Sequence, residues 1–450
     1  MNKNDTVTLE ITDMSSSGDG VGKADGLAVF VADTAVGDTV RALILKVKKS
    51  YAFAKAIEIL NESPDRIETE CPYSKLCGGC SFRHISYKAE LAYKEKVVKE
   101  NIKRISGIDM EPEPITGLSD LRYRNKASYP IAQDGTVGLY ARNSHRIIPV
   151  SDCLLEPEEF SEICEAFKAW VNKYNIPVFN EITKKGLLKR LVLRKAFATN
   201  EIMVGVVATG EIPFETELTE CLLKQNKNIK TIVLNINKKD NNVILGDFSR
   251  NVFGGGYIKD ILCGIEIRIS LKSFYQVNHD MAQLLYKKAA QYGETDNKLV
   301  LDLYCGTGTI GLSLAKRAKE VIGVEIVPEA VKDAEVNAKS NNLNNISFIC
   351  SDASSAAREL EKRAVKPQTV ILDPPRKGCD RALIETVCKG FKPERAVYVS
   401  CDSATLARDI KAFEEMGYML IKYAPFDLFP RTRHVECVAL LKRKNEENVS

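Results

Sequence analysis

Four short stretches of this chain carry residue types that can do chemistry, and each lies at the end of a strand-like apolar run. They are Leu301-Asp-Leu-Tyr-Cys-Gly-Thr-Gly-Thr-Ile-Gly311, Leu372-Asp-Pro-Pro-Arg-Lys-Gly378, Ala396-Val-Tyr-Val-Ser-Cys-Asp402 and His434-Val-Glu-Cys437. In an open α/β sheet, ligands bind in the crevice beyond the carboxyl ends of the strands. A glycine loop, the Asp373 carboxyl, the Cys401 thiol and the Glu436 carboxyl would then meet in one cleft. That set suits a cofactor-dependent enzyme with a cysteine nucleophile. Glu436 reads as a proton acceptor or, about as well, as half of an ion pair with an arginine. A free thiol is only slightly ionised near neutrality, so a cation must activate Cys401, and Arg376, Arg431 and Arg433 are the candidates. Cys305, Cys350 and Cys437 read as small buried hydrophobes.

These strand ends need a scaffold. From about residue 297 the pattern is β-α-β-α, with strands expected at 298–303, 321–326, 346–351, 369–373 and 396–401, and two more near 418–423 and 434–442. Seven strands with the last two adjacent in sequence predict a mostly parallel sheet with one antiparallel member. Upstream, apolar runs at 7–12, 26–31, 38–45 and 52–59, with Gly18-Asp-Gly-Val-Gly22 as turn chemistry, predict a small β-barrel. Lys46, Lys48, Lys49 and Lys55 there would face nucleic acid or merely solvate an edge. A helix is expected near 86–105, and 121–265 mixes elements without a clean period. Within that stretch, Lys189-Arg-Leu-Val-Leu-Arg-Lys195 reads as a strand with charged ends in preference to a phosphate track. The domains expected are a barrel over 1–62, a central α+β domain over 63–265 and an α/β catalytic domain over 266–450.

Bulk properties set the limits. A chain of 450 residues exceeds one hydrophobic core, and 44% hydrophobic with 28% charged residues is ordinary for a globular protein. A net charge of +4 leaves nucleic-acid binding to local patches. A polar N-terminus and the lack of any long apolar run predict a cytoplasmic protein with no membrane contact. Thirteen cysteines, an odd count, then point to metal binding or reactivity before disulfides.

Gly306-Thr-Gly-Thr-Ile-Gly311 follows a strand and opens a helix, and Glu325 lies nineteen positions after Gly306. This is the pattern of a nucleotide-binding loop with an acid for ribose hydroxyls. Three features favour S-adenosylmethionine over a nicotinamide. Asp302 would repel a diphosphate but not a cationic methionine moiety. The loop sits in a seven-strand unit, and Asp352, ending the third strand, is placed to accept from an adenine amino group. The two prolines of Asp373-Pro-Pro-Arg376 stiffen a loop suited to a planar base. Cys401 then selects a chemistry: a thiolate adding to C6 of uracil makes the otherwise inert C5 nucleophilic, and a base must later remove the C5 proton. Separately, Cys77-x2-Cys80 has a common zinc spacing, with His84 as a possible further ligand, while four thiolates would also suit an iron–sulfur cluster.

Together these motifs resemble the RNA uracil-C5 methyltransferases that make 5-methyluridine, over essentially the whole chain. Tyr123-Arg-Asn-Lys126 and Ser273-Phe-Tyr-Gln-Val-Asn278 add to the four strand-end motifs in family order. The resemblance implies a TRAM (OB-like) barrel, a central α+β domain and a class I S-adenosylmethionine-dependent methyltransferase domain. It implies Cys401 as nucleophile and Glu436 as base. It places Gln276, Tyr304, Gly306, Gly308, Thr309, Glu325, Asp352 and Asp373 around S-adenosylmethionine or the target base, with Thr309 where asparagine is common. It also implies a [4Fe-4S] cluster on Cys71, Cys77, Cys80 and Cys153. A barrel plus a cysteine cluster is similar to the branch acting on 23S ribosomal RNA, whose members act as monomers on a uridine flipped from a loop. Three other readings stand beside it: the same reaction on tRNA, a catalytically silent RNA-binding or ribosome-assembly protein, and a nicotinamide-dependent reductase with an iron–sulfur centre.

Overall fold

The structure, a computed structural model, describes residues 1–444; residues 445–450 of the expected catalytic domain lie outside the described residues. Seven strands form the main sheet in the order 346–350, 320–325, 299–303, 369–372, 395–400, 436–443, 418–426. The strand 436–443 alone runs antiparallel to its neighbours. A short connection after 418–426 returns the chain beside it, and only antiparallel neighbours can be joined that way. Side chains alternate between two cores, as a period of two requires. Val300, Ile371, Val397, Val438 and Leu440 enter one core. Leu301, Val370, Ala396, Tyr398, Ala439 and Leu441 enter the other. Helices cover both faces, so the central strands read as continuous apolar runs.

Residues 6–61 form a closed barrel in the order 6–14, 20–24, 27–32, 51–61, 39–47. The stretch expected as a turn thus contains a strand, 20–24. Its glycines serve close strand approach. A Cβ on Gly22 would stand 2.4 Å from the Glu10 carbonyl oxygen, and one on Gly20 2.1 Å from Thr34 Oγ1.

Between barrel and main sheet lies a five-stranded sheet in the order 248–254, 229–236, 202–208, 188–195, 126–130. It is mixed: 202–208 pairs in parallel with 229–236 and antiparallel with 188–195. That mixture accounts for the missing period. The cations of 188–195 are occupied internally. Lys189 Nζ donates to the Asn237 and Lys239 carbonyls (3.2 and 2.8 Å), and buried Arg194 donates to those of Ser270 and Ser273 (2.8 and 2.7 Å). Arg190 lies over the Tyr140 ring, and Lys195 pairs with Glu159.

Helix 87–101, capped by the Ser86 hydroxyl, falls within the stretch assigned to the central domain but packs on the main sheet's layer. Val98 and Ile102 share a core with Leu301 and Leu406, and Asn101 Nδ2 donates to Ser403 Oγ (2.8 Å). The hairpin 257–262/265–270 likewise buries Ile258 and Ile267 with Val300. Among the described residues, no helix is long and apolar enough to cross a membrane.

Candidate active site

The one antiparallel strand sets the geometry. Parallel strands end at one rim of the sheet, and an antiparallel strand begins there. Cys401 follows strand 395–400, Glu436 opens strand 436–443, and the pairing of Ser400 with Cys437 puts both at that rim. A cleft of about 1350 Å³ opens there, with Cys401, Glu436, Asp373 and Arg376 in its wall. Gln276, Tyr304, Gly306, Glu325 and Asp352 line the same cleft.

The nucleotide half is built by a strained loop. Tyr304 and Gly306 both have left-handed backbones (φ 67° and 57°). Gly306 N–H donates to Glu325 Oε2 (3.1 Å), and Glu325 Oε1 accepts from Val327 N–H (2.8 Å). Nothing stands within 4 Å of where a Gly306 Cβ would be, so a ligand can approach this backbone. Asp352 caps helix 353–362 through Oδ1, which accepts from Ser354 and Ser355 N–H (3.1 Å each). Gln276 is buried, and its carbonyl accepts from Asn125 Nδ2 (2.8 Å), so the Tyr123–Lys126 motif buttresses this wall.

Three expected neighbours of the ligand stand elsewhere. Gly308 is buried behind the loop, where a Cβ would meet the Phe348 ring at 3.0 Å and Ala334 at 3.1 Å. It is a packing glycine. Thr309 begins helix 309–315, and its hydroxyl meets that of Tyr286 (3.1 Å) instead of lining the cleft. Asp302 is fully buried and accepts from Gly311 N–H (2.9 Å), stapling loop to helix. Burial pushes its carboxyl up to about 8, so it does not act as the open anion invoked against a diphosphate. Conversely, Phe274, Ile326 and His434 line the cleft without having been singled out, and Phe274 and Ile326 are 64% and 62% exposed. Position alone marked them: each sits inside or directly after a motif.

Three acidic groups crowd the catalytic half. Burial pushes Asp373 up to about 7. Glu436, 4% exposed, is pushed up to about 8 by burial and by Asp373, with Arg376 opposing. Cys401 is pushed up to about 11 by burial, then by Glu436 and Asp373, again with Arg376 opposing. Arg376 is therefore the cation that favours the thiolate. Arg431 is buried away from the thiol, held by Asp120 and the carbonyls of Phe82 and Ile85. Arg433 is exposed. His434 is pushed down by burial and by Arg376 and Arg433, so it stays neutral. Cys305 and Cys437 are buried as expected, whereas Cys350 is exposed on the sheet's edge strand. A thiol, a buried carboxyl and a neutral imidazole beside a nucleotide-type loop can form a covalent adduct and move a proton.

The sequence profile of the tRNA (Uracil-5-)-methyltransferase family matches residues 264–444, and that of the TRAM domain matches residues 2–57. The chain is 39% identical to an uncharacterized RNA methyltransferase of Clostridium tetani, over 98% of this chain and 96% of that one. It is 41% identical to another from Halalkalibacterium halodurans, over 99% and 98%. The chain belongs to the RNA uracil-C5 methyltransferase family. A solved structure described as Pyrococcus abyssi tRNA (uracil-54, C5)-methyltransferase in complex with S-adenosyl-L-homocysteine is similar to it, with a TM-score of 0.80 and 28% identity. The likeness covers 97% of this chain and 100% of that one. The protein is thus an S-adenosylmethionine-dependent RNA methyltransferase with a class I catalytic sheet and a TRAM barrel.

Two other parts of this methyltransferase bear on its partners. On the barrel's outside, the Phe30, Tyr51 and Phe53 rings stand 5.5–5.7 Å apart. Lys46 pairs across the strands with Phe53, and Lys46, Lys48, Lys49 and Lys55 are all exposed. The other part is the cysteine loop. Burial pushes Cys80 up to about 11 and Cys153 higher still; Cys77 and Cys71 add to the first, and Cys80 and Cys77 to the second. Cys71, Cys77 and Cys80 are therefore within electrostatic reach of one another and Cys153 within reach of Cys77 and Cys80, and all four are free. Among the described residues, however, no three Cys, His, Asp or Glu side chains are gathered closely enough to hold a metal ion. His84 lies apart: its Nε2 meets the Thr34 carbonyl on the barrel (3.2 Å), which removes it from the zinc reading.

Proposed function

We propose that this methyltransferase modifies C5 of a uridine in 23S ribosomal RNA through a covalent adduct on Cys401, with Glu436 as the base. The observation that carries the mechanism is the meeting of Cys401 and Glu436 at one sheet rim, in the cleft that also holds Gly306 and Glu325. Cys401 Sγ, as thiolate, bonds to C6, and the C5–C6 π pair moves into the C4 carbonyl as an enolate. Tyr304, Gly306, Glu325 and Asp352 would hold S-adenosylmethionine, which supplies a methyl group to C5 while its sulfur keeps the bonding pair. Glu436 then takes the C5 proton. The pair from that C–H bond restores C5=C6 and expels the Cys401 thiolate. Gln276, Asp373 and the exposed Phe274 ring line the remaining wall and would orient the uracil.

The ribosomal substrate rests on the resemblance of barrel plus cysteine loop to that branch. It is helped by an outer barrel face on which edge-to-face and tilted aromatic rings stand among lysines, which suits unpaired bases and phosphates. The four thiols of Cys71, Cys77, Cys80 and Cys153 are the donor type of an iron–sulfur cluster, and on that chemistry and the resemblance we propose that they would hold a [4Fe-4S] cluster, drawing closer together than they stand here. A cluster there would brace the loop that packs beside Arg431. The second reading, tRNA, is favoured by the similarity to the Pyrococcus abyssi structure, which is described as a tRNA enzyme.

The test is incubation with S-adenosylmethionine and 5-fluorouridine-containing ribosomal RNA or tRNA, followed by a denaturing gel. Fluorine cannot leave C5 as a proton, so the enzyme stalls as a protein–RNA adduct. An adduct on ribosomal RNA that vanishes in Cys401→Ala is expected. An adduct on tRNA alone would overturn the substrate, and none on either would overturn the mechanism.

A further inference from the structure

We infer that Arg431, backed by Lys94, is a positioning residue that aims Glu436 into the cleft and joins its loop to the cysteine loop. The inference rests on the proposed role of Glu436.

The loop 427–435 connects strands 418–426 and 436–443 and carries His434 to the cleft. Local turns tie Thr432 to Phe429 and His434 to Thr432, but the backbone of 427–431 is held mainly from outside. Asp427 N–H donates to the Thr116 carbonyl (2.8 Å). The carbonyls of Leu428, Phe429 and Pro430 accept from Asn278 Nδ2 (3.3 Å), Lys94 Nζ (3.2 Å) and Tyr123 Oη (2.9 Å). Arg431 follows with a left-handed backbone, φ 67°, which a non-glycine residue adopts only when its surroundings impose it.

Those surroundings grip Arg431 at every polar atom of its backbone. Its N–H donates to Glu90 Oε1 (2.7 Å), and its carbonyl accepts from the N–H groups of Ser81 (2.7 Å) and Phe82 (3.2 Å). Its guanidinium donates to Asp120 Oδ2 (2.6 Å) and to the carbonyls of Phe82 and Ile85 (3.1 and 2.7 Å). Lys94 donates in turn to Glu90 Oε1 and Asp427 Oδ1 (2.7 Å each). Lys94, Glu90, Asp427 and Arg431 are all at most 5% exposed.

Burying these charges costs desolvation that well-packed apolar side chains would not incur, so stability alone does not explain them. What the hub supplies is direction. The chain leaves Arg431 along one path, passes His434 and reaches Glu436 at the rim. On its other side, Ser81 directly follows Cys80. The Arg431 carbonyl is therefore the joint through which a displacement of the cysteine loop reaches the base.

The test compares Arg431→Lys, which keeps the charge but loses the fork, with Lys94→Met and Glu436→Gln. Each is given S-adenosylmethionine and ribosomal RNA containing either uridine or 5-fluorouridine. If the hub aims the base, kcat on uridine RNA falls about tenfold or more while KM moves far less. The 5-fluorouridine adduct still forms, because Cys401 is untouched. A covalent adduct now accumulates on ordinary uridine RNA, since the C5 proton stays in place; a merely loosened fold would not create one. Adding Arg431→Lys to Glu436→Gln should cost little further turnover. Unchanged kcat in both hub variants, a rise in KM alone, or loss of both adducts together would overturn the inference. Failure of the unaltered enzyme to form the 5-fluorouridine adduct would instead overturn the reaction on which it rests.

Discussion

Glu436→Gln should drive the two halves of the proposed reaction apart. The Cys401 thiol is held at about 11 by burial first and by the Glu436 carboxyl second. At pH 7 such a thiol is ionised roughly once in 10⁴ molecules, so making the thiolate costs roughly 5 kcal/mol. Glutamine keeps the shape of Glu436 but removes a carboxyl that, pushed up to about 8, is ionised in roughly one molecule in ten at pH 7 and in that form opposes the thiolate. Adduct formation should therefore hold its rate or gain, with every unit of lowered thiol pKa making the thiolate about tenfold more available. The later step loses its proton acceptor. A positioned base contributes roughly 10²–10⁴-fold, so turnover should fall by that factor. The unbalanced pair of effects traps a protein–RNA adduct on ordinary uridine, already methylated at C5. The assay is a denaturing gel after incubation with methyl-labelled S-adenosylmethionine, and the shifted band should carry label. The band must vanish in Cys401→Ala combined with Glu436→Gln. Near-normal turnover would refute the reasoning, as would lost turnover without a band in a protein that still melts cooperatively.

The pH dependence follows from the same groups. Cys401 and Glu436 must both be ionised and both sit above their ordinary values, so kcat/KM should climb steeply up to about pH 8 and go on climbing, less steeply, toward about pH 11. Arg376→Met removes the cation opposing both shifts and should move that climb to higher pH; a climb that stays put or moves to lower pH contradicts the placement. Asp302, held near 8 when folded against 3.8 ordinarily, keeps a proton that the unfolded chain has lost, so its contribution to stability declines as pH rises from about 4 to about 8. Asp302→Asn should therefore melt higher than the parent at pH 8 by an amount that shrinks at pH 4, with up to on the order of 4 kcal/mol at stake near pH 7; a constant gap would refute this. On the barrel, Phe53→Ala should weaken single-stranded RNA binding roughly 5- to 100-fold in a filter assay at fixed salt, without lowering Tm. Lys46→Glu should flatten the salt dependence instead, and a Phe53→Ala variant that binds normally removes the stacking face.

Much of this molecule is local, and the local part was legible in its sequence. The apolar runs ending in Gly306, Asp373 and Cys401 announce strands because alternation and run length are short-range properties. The order strand, glycine loop, helix, acid is likewise written within about thirty residues. What sequence leaves open is which strand lies beside which. Glu436 reaches the cleft because 436–443 inserts antiparallel between 395–400 and 418–426, so that its first residue meets the others' last. Arg376, Arg431 and Arg433 are equivalent as letters, yet one lines the cleft, one is buried in an ion hub and one is exposed. Gly306 and Gly308 differ only in whether Phe348, a residue of another strand, stands above them. The strand at 20–24 looked like a turn because glycine serves both turns and close crossings, and the crossing partner, Glu10, belongs to a different strand. Residue type and spacing settle propensity and chemistry; burial, register and charge environment are set by segments remote in sequence, and those decide which residue of a type does the work.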